Sequence, residues 1–370
     1  MLYTKPDYFD EFKCIADECP DTCCSGWQIV INDEYLEKYR DGKAYPTIKM
    51  DDYVDFDEKV FKQSEDRRCA FLRDDNLCKL CFEYGEEALC KTCHLYPRHI
   101  EEFEDVREIT LSLSCPEVAS IILNKVDPVQ FISNETDEEE SEDYEDFDFM
   151  LYSTLCDARD VMIEILQNRS IPIDVRAGMV LGLCNDIDRR FNDDRFFTVM
   201  ELLDYASTEK AIIKSSEKIN KFLNDKPKVF EYMYRKYKAL FKLEPISYDW
   251  INLYTETEHN LYKKGEKFYS EKSAEFDEYM RNKSISFDVQ LEQILVYFIF
   301  TYFCGAVYDG NIYGKGKLCV YSAYYIKEIL KGSFIRNGGT LSEDEIQDLV
   351  LRYSRELEHS DINLSRIEGF

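Results

Sequence analysis

From Phe149 to Phe370 apolar positions recur every three to four residues almost without a break. That is the period of a helix with one buried face. The pattern predicts a helix over Met150–Gln167, ended near Ser170-Ile171-Pro172, and a second one capped by Asp174 and running to Arg190. Further helices are expected at 197–206, 208–222, 228–243, 246–263, 271–282, 288–307, 318–331 and 342–357. Thr340 or Ser342, followed by acidic residues, is a start signal for the last of these. The longest uncharged apolar run, Ile294 to Tyr308, is fifteen residues. It is shorter than a bilayer requires and predicts a buried helix. Gly305 to Lys317 carries Gly310, Gly314 and Gly316 and reads as a flexible loop between two helices.

Before Phe149 the pattern is shorter and mixed. Trp27–Ile31 reads as a short strand or buried extended segment, and Asn32 or Asp33 can cap a helix through Arg40 that Asp41-Gly42 stops. Residues 42–66 show no regular period. A hairpin is expected around Asp74-Asp75-Asn76, one or two helical turns over Phe82–Leu89, and a strand over Val106–Ser112. Pro116 follows Cys115 at the first turn of a helix reaching Leu123, where its missing N–H costs nothing. Residues 134–148 are an acidic run with little to bury, which predicts a solvated linker or exposed loop. The expected fold is therefore mainly α. A cysteine-rich N-terminal α+β domain that binds a metal or cluster (1–126) is followed by an acidic linker (127–148) and an all-helical C-terminal domain (149–370).

Composition narrows the function. The 370-residue chain is 45% hydrophobic, enough for a real core, and its 14% aromatic content predicts a Tyr- and Phe-rich one. A net charge of −28 repels phosphate backbones and anionic membranes. Nucleic-acid and membrane partners are thus disfavoured, and a lysine-rich partner is favoured. The first residues, Met1-Leu2-Tyr3-Thr4-Lys5-Pro6, form no apolar signal segment, so the expected compartment is the cytoplasm. Clustered thiols in a reducing compartment bind metal or do redox chemistry more often than they form disulfides.

Ten of the fourteen cysteines lie in the first third of the chain: Cys14, Cys19, Cys23, Cys24, Cys69, Cys78, Cys81, Cys90, Cys93 and Cys115. Cys78-x2-Cys81 and Cys90-x2-Cys93 have the spacing of a four-thiolate site, which suits zinc or an iron–sulfur cluster. The first group, spaced C-x4-C-x3-CC, does not have that form. There are more thiols than one mononuclear site can use. His94 or His99 could complete a site. No G-x-G-x-x-G, P-loop, CxxxCxxC or G-x-S-x-G motif is present, so Rossmann, nucleotide-triphosphatase, radical S-adenosylmethionine and α/β-hydrolase chemistries are unsupported.

The run Phe12-Lys13-Cys14 through Cys19-Pro20-Asp21-Thr22-Cys23-Cys24-Ser25-Gly26-Trp27 resembles the opening of the flagellin lysine N-methylase family, within the CxxCxxCC group of zinc- or iron-chelating proteins. Similar blocks follow at Cys69-x-Phe71-Leu72, Asn76-Leu77-Cys78, Gly85 to Cys93, Tyr96-Pro97-Arg98, Ser112 to Glu117 and Tyr353 to Leu364. The resemblance implies methylation of lysine ε-amines on flagellin, or on another lysine-bearing protein, from S-adenosylmethionine. It also implies a cysteine-bound [4Fe–4S] cluster, with zinc as the alternative. The candidate ligands are then Cys14, Cys19, Cys23, Cys24, Cys69, Cys78, Cys90, Cys93 and Cys115, while Cys81 stands where related proteins commonly carry His.

Methyl transfer to lysine needs a deprotonated amine, so the site needs a low-dielectric pocket or a base. By residue type, Tyr96, Glu117, Tyr313 and His359 are candidate catalytic groups, and Arg98 and Arg355 are candidates to hold the carboxylate of the cofactor's methionine moiety. Two non-methylase readings fit the same cysteines: a zinc-stabilised module that binds a basic protein, and an iron–sulfur redox protein.

Overall fold

A computed structural model describes residues 1–137 and 147–370. The acidic stretch expected as a linker falls largely on 138–146, outside the described residues. The N-terminal elements are β1 (Leu2–Pro6), α1 (Asp33–Asp41), β2 (Val54–Asp55), β3 (Val60–Phe61), α2 (Lys79–Tyr84), α3 (Lys91–Leu95), β4 (Arg98–Phe103), β5 (Val106–Leu111), α4 (Pro116–Asn124) and β6 (Phe131–Glu135). The helical body runs through α5 (Phe149–Gln167), α6 (Ile173–Asn192), α7 (Val199–Ala206), α8 (Glu209–Leu223), α9 (Lys226–Tyr237), α10 (Tyr248–Thr257), α11 (Glu266–Arg281), α12 (Phe287–Tyr302), α13 (Ala306–Asp309), α14 (Ile312–Arg336), α15 (Glu343–Glu358) and α16 (Asp361–Glu368).

One four-stranded sheet has the order β4-β5-β1-β6. β1 runs parallel to β5, with Leu2 opposite Val106, and antiparallel to β6, with Pro6 opposite Phe131. β6 lies inside the stretch expected as linker. It is an edge strand whose residues beyond Phe131 are exposed, so its sequence reads as polar chain rather than strand. Phe131 stacks on Phe300 with ring centres 4.1 Å apart. The strand expected at Val106–Ser112 forms as β5 and is buried almost throughout. Trp27–Ile31 stays extended, with a single bridge from Val30 to Val60. The helix expected at Phe82–Leu89 instead breaks at Gly85, where φ is +81°.

Two hydrophobic cores result. The smaller belongs to residues 24–93 and gathers Ile31, Tyr39, Phe61, Phe71, Leu80 and Cys90. The larger takes in the sheet, α4 and the helical body together: Phe103, Leu111 and Val118 pack in the same core as Leu155, Phe298 and Tyr325. The sheet thus belongs to the body, and the cysteine-bearing loops form a lobe on it. The helical run Phe287–Asp309 is longer than its uncharged core. By length and composition alone it could cross a membrane, but 83% of its apolar window is buried inside the fold.

The expected glycine loop is instead α13, a tight turn at Gly310 (φ +68°) and the first turns of α14, the longest helix in the structure. A Cβ at Gly316 would stand 2.5 Å from Cys184 Sγ, and one at Gly332 2.6 Å from the Thr257 hydroxyl. Here glycine permits close crossing by α6 and α10 rather than flexibility.

Charge is buried where a helix meets the sheet and again between helices. Glu108 on β5 and Arg159 on α5 form a two-pronged pair at 2.5 and 2.6 Å, and both are nearly inaccessible. Glu292 on α12 is fully buried between Arg169 and Arg176, at 2.8 and 2.6 Å. Removing one partner of such a pair strands the other in low dielectric. Arg159→Met should therefore cost about 3–5 kcal/mol in denaturant unfolding. The double substitution with Glu108→Leu should recover most of that loss. Equal loss in the single and double variants would contradict this account of the pair.

Candidate metal centre and the helix end that closes it

The first cysteine cluster lies on a loop with little secondary structure of its own. Its shape is set by a few backbone contacts. Gly26, at φ +91°, donates its N–H to Arg67 O (3.0 Å), and Cys69 donates to Cys24 O (2.8 Å). Trp27 Nε1–H donates to Cys23 O (2.8 Å), turning the indole back over the cysteines. In the second array, Cys78 and Cys90 are the residues that precede α2 and α3, so each CxxC pair spans a helix start. Cys115 stands likewise before α4.

These loops enclose a cavity of about 600 Å³. Eight cysteines line it: Cys14, Cys19, Cys23, Cys24, Cys69, Cys78, Cys81 and Cys93. His94 and Arg98 stand on its wall, with Phe12, Trp27 and Tyr96. Cys90 and Cys115 are buried and do not line it. All are free thiols. Among the described residues, no three Cys, His, Asp or Glu side chains are gathered closely enough to hold one metal ion. The chemistry of the donor set, eight soft sulfur donors and an imidazole around one space, fits zinc or a thiolate-bound cluster.

Burial makes most of these thiols poor thiolates by themselves. It pushes Cys69 up to about 12 and Cys115 up to about 11, and it raises Cys19, Cys78 and Cys81. Two pairs share protons. Cys90 is lowered to about 7, chiefly by a hydrogen bond from Cys93, whose own pKa rises for the same reason. Cys23 is raised, first by its hydrogen bond with Cys24 and then by burial. A soft cation among these sulfurs would reverse the cost of ionising them.

The last turn of α15 closes one side of the site. Arg355 reaches across to the first cysteine loop: Nη1 to Asp21 at 2.6 Å, Nη2 to Thr22 O at 3.4 Å, and Nε to Ser114 O at 3.2 Å. His359 packs on Trp27, ring centres 4.6 Å apart, and meets Tyr96 edge-on at 6.0 Å. Burial, assisted by the positive charge of Arg355, drives His359 down to about 3, so its ring is neutral near pH 7. Glu358 is ringed by donors: Ser112 Oγ at 2.6 Å, Ser114 N–H at 3.2 Å, Tyr302 O–H at 3.2 Å and Tyr297 O–H.

The structure thus brings together two of the four catalytic candidates. Tyr96 and His359 converge, whereas Glu117 lines neither this cavity nor the cleft beside it. Tyr313 stands far off on α14, where its N–H meets Asp188 and its ring faces Lys317. Arg355 is engaged by Asp21. Arg98 is exposed on the cavity wall, 5.5 Å from the Phe12 ring, and makes no ion pair among the described residues. Ser112, Ser114 and Glu358 lie in the resembling segments, where neither type nor spacing marks them as site residues. A serine pair carries no chemical signature until a distant carboxylate is placed beside it.

Beside this cavity, and sharing Asp21 with it, lies a larger cleft of about 1060 Å³ between the lobe and the helical body. The carboxylates Glu18, Glu65, Asp66, Asp249, Asp344 and Asp348 line it, against Arg67, Arg352 and Arg355.

Residues 159–370, more than half of the chain, match the profile of the FliB lysine N-methylase C-terminal domain. A segment of 135 residues is 33% identical to a lysine-N-methylase of Salmonella choleraesuis (strain SC-B67), covering 34% of this chain and 34% of that protein. Over 135 residues the chain is 32% identical to flagellar biosynthetic protein FliU of Salmonella muenchen, covering 34% of this chain and 80% of FliU. The matched segment thus spans about a third of the lysine-N-methylase. No solved structure matches.

The Arg355 contacts generate a prediction. Arg355→Met should free the Cys19–Cys23 loop, seen as faster amide hydrogen exchange at Thr22 to Cys24, while exchange in α12 and α14 stays slow. Unchanged protection of that loop would show that Arg355 does not hold it.

Proposed function

The chain belongs to the FliB lysine N-methylase family, and from that premise we propose that it methylates lysine ε-amines of a flagellar protein, using S-adenosylmethionine and a cluster held in the cysteine-lined cavity. The observation that carries this reading is the cavity itself. Eight thiols of the N-terminal loops line it, and the end of α15, which lies in the family-defining region, packs behind its wall through Arg355 on Asp21 and His359 on Trp27.

The residues that would hold a [4Fe–4S] cluster in that cavity are drawn from Cys14, Cys19, Cys23, Cys24, Cys69, Cys78 and Cys93, with zinc as the alternative metal; Cys90 and Cys115, the other two expected ligands, lie buried outside its lining. A bound cluster would supply an electron-transfer or Lewis-acid centre. The protein's own residues do the rest. Trp27, Phe12 and Tyr96 exclude water from one wall, and a low-dielectric wall favours the neutral amine over the ammonium. Neutral His359 adds no positive charge that would repel an incoming lysine. Arg98, unpaired and exposed, is the arginine available for the cofactor's carboxylate. Arg355 instead positions the first cysteine loop.

The partner reading is supported by charge. A net charge of −28 and an acid-lined cleft of about 1060 Å³ beside the cavity suit a lysine-bearing protein surface. One relative bears the name flagellar biosynthetic protein FliU, which makes flagellin the first substrate to test. The reading places the protein in the cytoplasm, where the thiols stay reduced.

The test is direct. The protein, reconstituted with iron and sulfide without oxygen, is incubated with flagellin and S-adenosylmethionine, and the flagellin is weighed by mass spectrometry. Mass should increase in whole methyl increments on lysine-containing peptides, and Cys78→Ser or Cys93→Ser should abolish the increase. Unmodified flagellin in the presence of an intact cluster would overturn the assignment for that substrate.

A further inference from the structure

The hydroxyls between Tyr96 and Glu358 form one continuous chain. Tyr96 Oη lies 3.1 Å from Ser114 Oγ, Ser114 Oγ lies 2.5 Å from Ser112 Oγ, and Ser112 Oγ lies 2.6 Å from Glu358 Oε2. His359 Nε2 is 2.9 Å from Ser114 Oγ. Each hydroxyl has one proton, which fixes the direction. Ser112 donates to the carboxylate, so it accepts from Ser114. Ser114 must then accept from both Tyr96 and His359, which gives His359 the tautomer with its proton on Nε2. Every donor in the chain points toward Glu358. The phenol oxygen of Tyr96, a residue that lines the cysteine cavity, is left to accept.

We propose that Glu358 takes the proton from the substrate lysine through Ser112, Ser114 and Tyr96. The ammonium gives a proton to Tyr96 Oη as the Tyr96 proton passes to Ser114, the Ser114 proton to Ser112, and the Ser112 proton to Glu358. An ammonium and a carboxylate become a neutral amine and a carboxylic acid, so one charge of each sign disappears inside the protein and no co-reactant is needed. The proton returns to solvent along the same chain between turnovers. His359 is a positioning residue that holds Ser114 in line. This inference rests on the methylase reading, because it needs a lysine in the cysteine-lined cavity.

The surroundings of Glu358 suit the task. Burial raises its pKa, against the opposing pull of Ser112, Tyr297, Tyr302 and the charge of His99. Tyr297 and Tyr302 face it from α12, His99 from β4, and Tyr353 from its own helix. A base must be ionised to accept a proton. A raised pKa therefore makes the relay fail as pH falls through that pKa, and brings its proton affinity closer to neutral pH.

The experiment has two readouts. In the first, kcat for flagellin methylation is followed against pH in the wild type and in Glu358→Gln, Tyr96→Phe, Ser114→Ala and Ser114→Thr. The first three should lose about 10²–10⁴-fold in kcat with little change in KM. Their residual rate should climb with pH, roughly tenfold per unit, toward the ~10.4 of free lysine. Ser114→Thr, which restores a hydroxyl, should keep most of the rate, and this pair of variants tests the chain even if Glu358→Gln does not fold. In the second, infrared difference spectra on adding flagellin should show a protonated-carboxyl band that Glu358→Gln and Ser114→Ala lack. Wild-type kcat and pH profile in Ser114→Ala and Tyr96→Phe, or no carboxyl band in the wild type, would overturn the relay. A Glu358-dependent band without methyl transfer would support the relay and count against the methylase reading instead.

Discussion

The grip of one helix end on two loops organises the site. Arg355, Glu358 and His359 leave the end of α15 within five residues of each other and hold the Asp21–Thr22 and Ser112–Ser114 segments through side-chain and backbone contacts. Neither loop has a ladder of hydrogen bonds to shape it, so its geometry is imposed from outside. The first carries Cys19 and Cys23, and the second leads into Cys115. A cavity lined by residues 12–98 is therefore braced at Thr22 by a residue more than 300 positions away. That arrangement gives a physical reason for the cysteine blocks and the closing C-terminal segment to occur together in one chain.

The rest of the fold supplies rigidity behind this grip. α12 is buried nearly all round and delivers Tyr297 and Tyr302 to Glu358. α14 crosses α6 and α10 closely where Gly316 and Gly332 leave room. β5, buried almost throughout and pinned by the Glu108–Arg159 pair, leads directly into Ser112. Each element holding the proton chain is thus seated in the larger core rather than in the cysteine lobe.

Much of the fold is legible in the chain. Amphipathic period marks the body helices, with bounds that drift by a few residues: the helix expected from 271 begins at Glu266, and that expected at 318–331 extends to Ile312–Arg336. The misreadings have physical causes. Gly310, Gly314 and Gly316 look like loop composition, but two of them lie in a helix that must be approached closely. β1, β4 and β6 escape notice because pairing, not pattern, makes them strands: β1 finds β5 about a hundred residues on, and β6 is an exposed edge. For the candidate site, cysteine spacing singles out the thiols that gather around one cavity, and Tyr96 and His359 are picked out by residue type alone. Ser112, Ser114 and Glu358 are not, since their chemistry exists only once the loop and the helix end meet. Arg355 is picked out by charge, but its ion pair with Asp21 on the first cysteine loop is visible only in the fold.

The central claim is that the eight-thiol cavity holds an iron–sulfur cluster. Purification without oxygen, followed by iron and acid-labile sulfide analysis with the visible absorption spectrum, tests it most directly. The account predicts a brown protein containing iron and sulfide in equal amounts, with the colour lost when Cys19, Cys78 or Cys93 is replaced by serine. A colourless protein holding zinc alone, unchanged in metal content by those replacements, would contradict it.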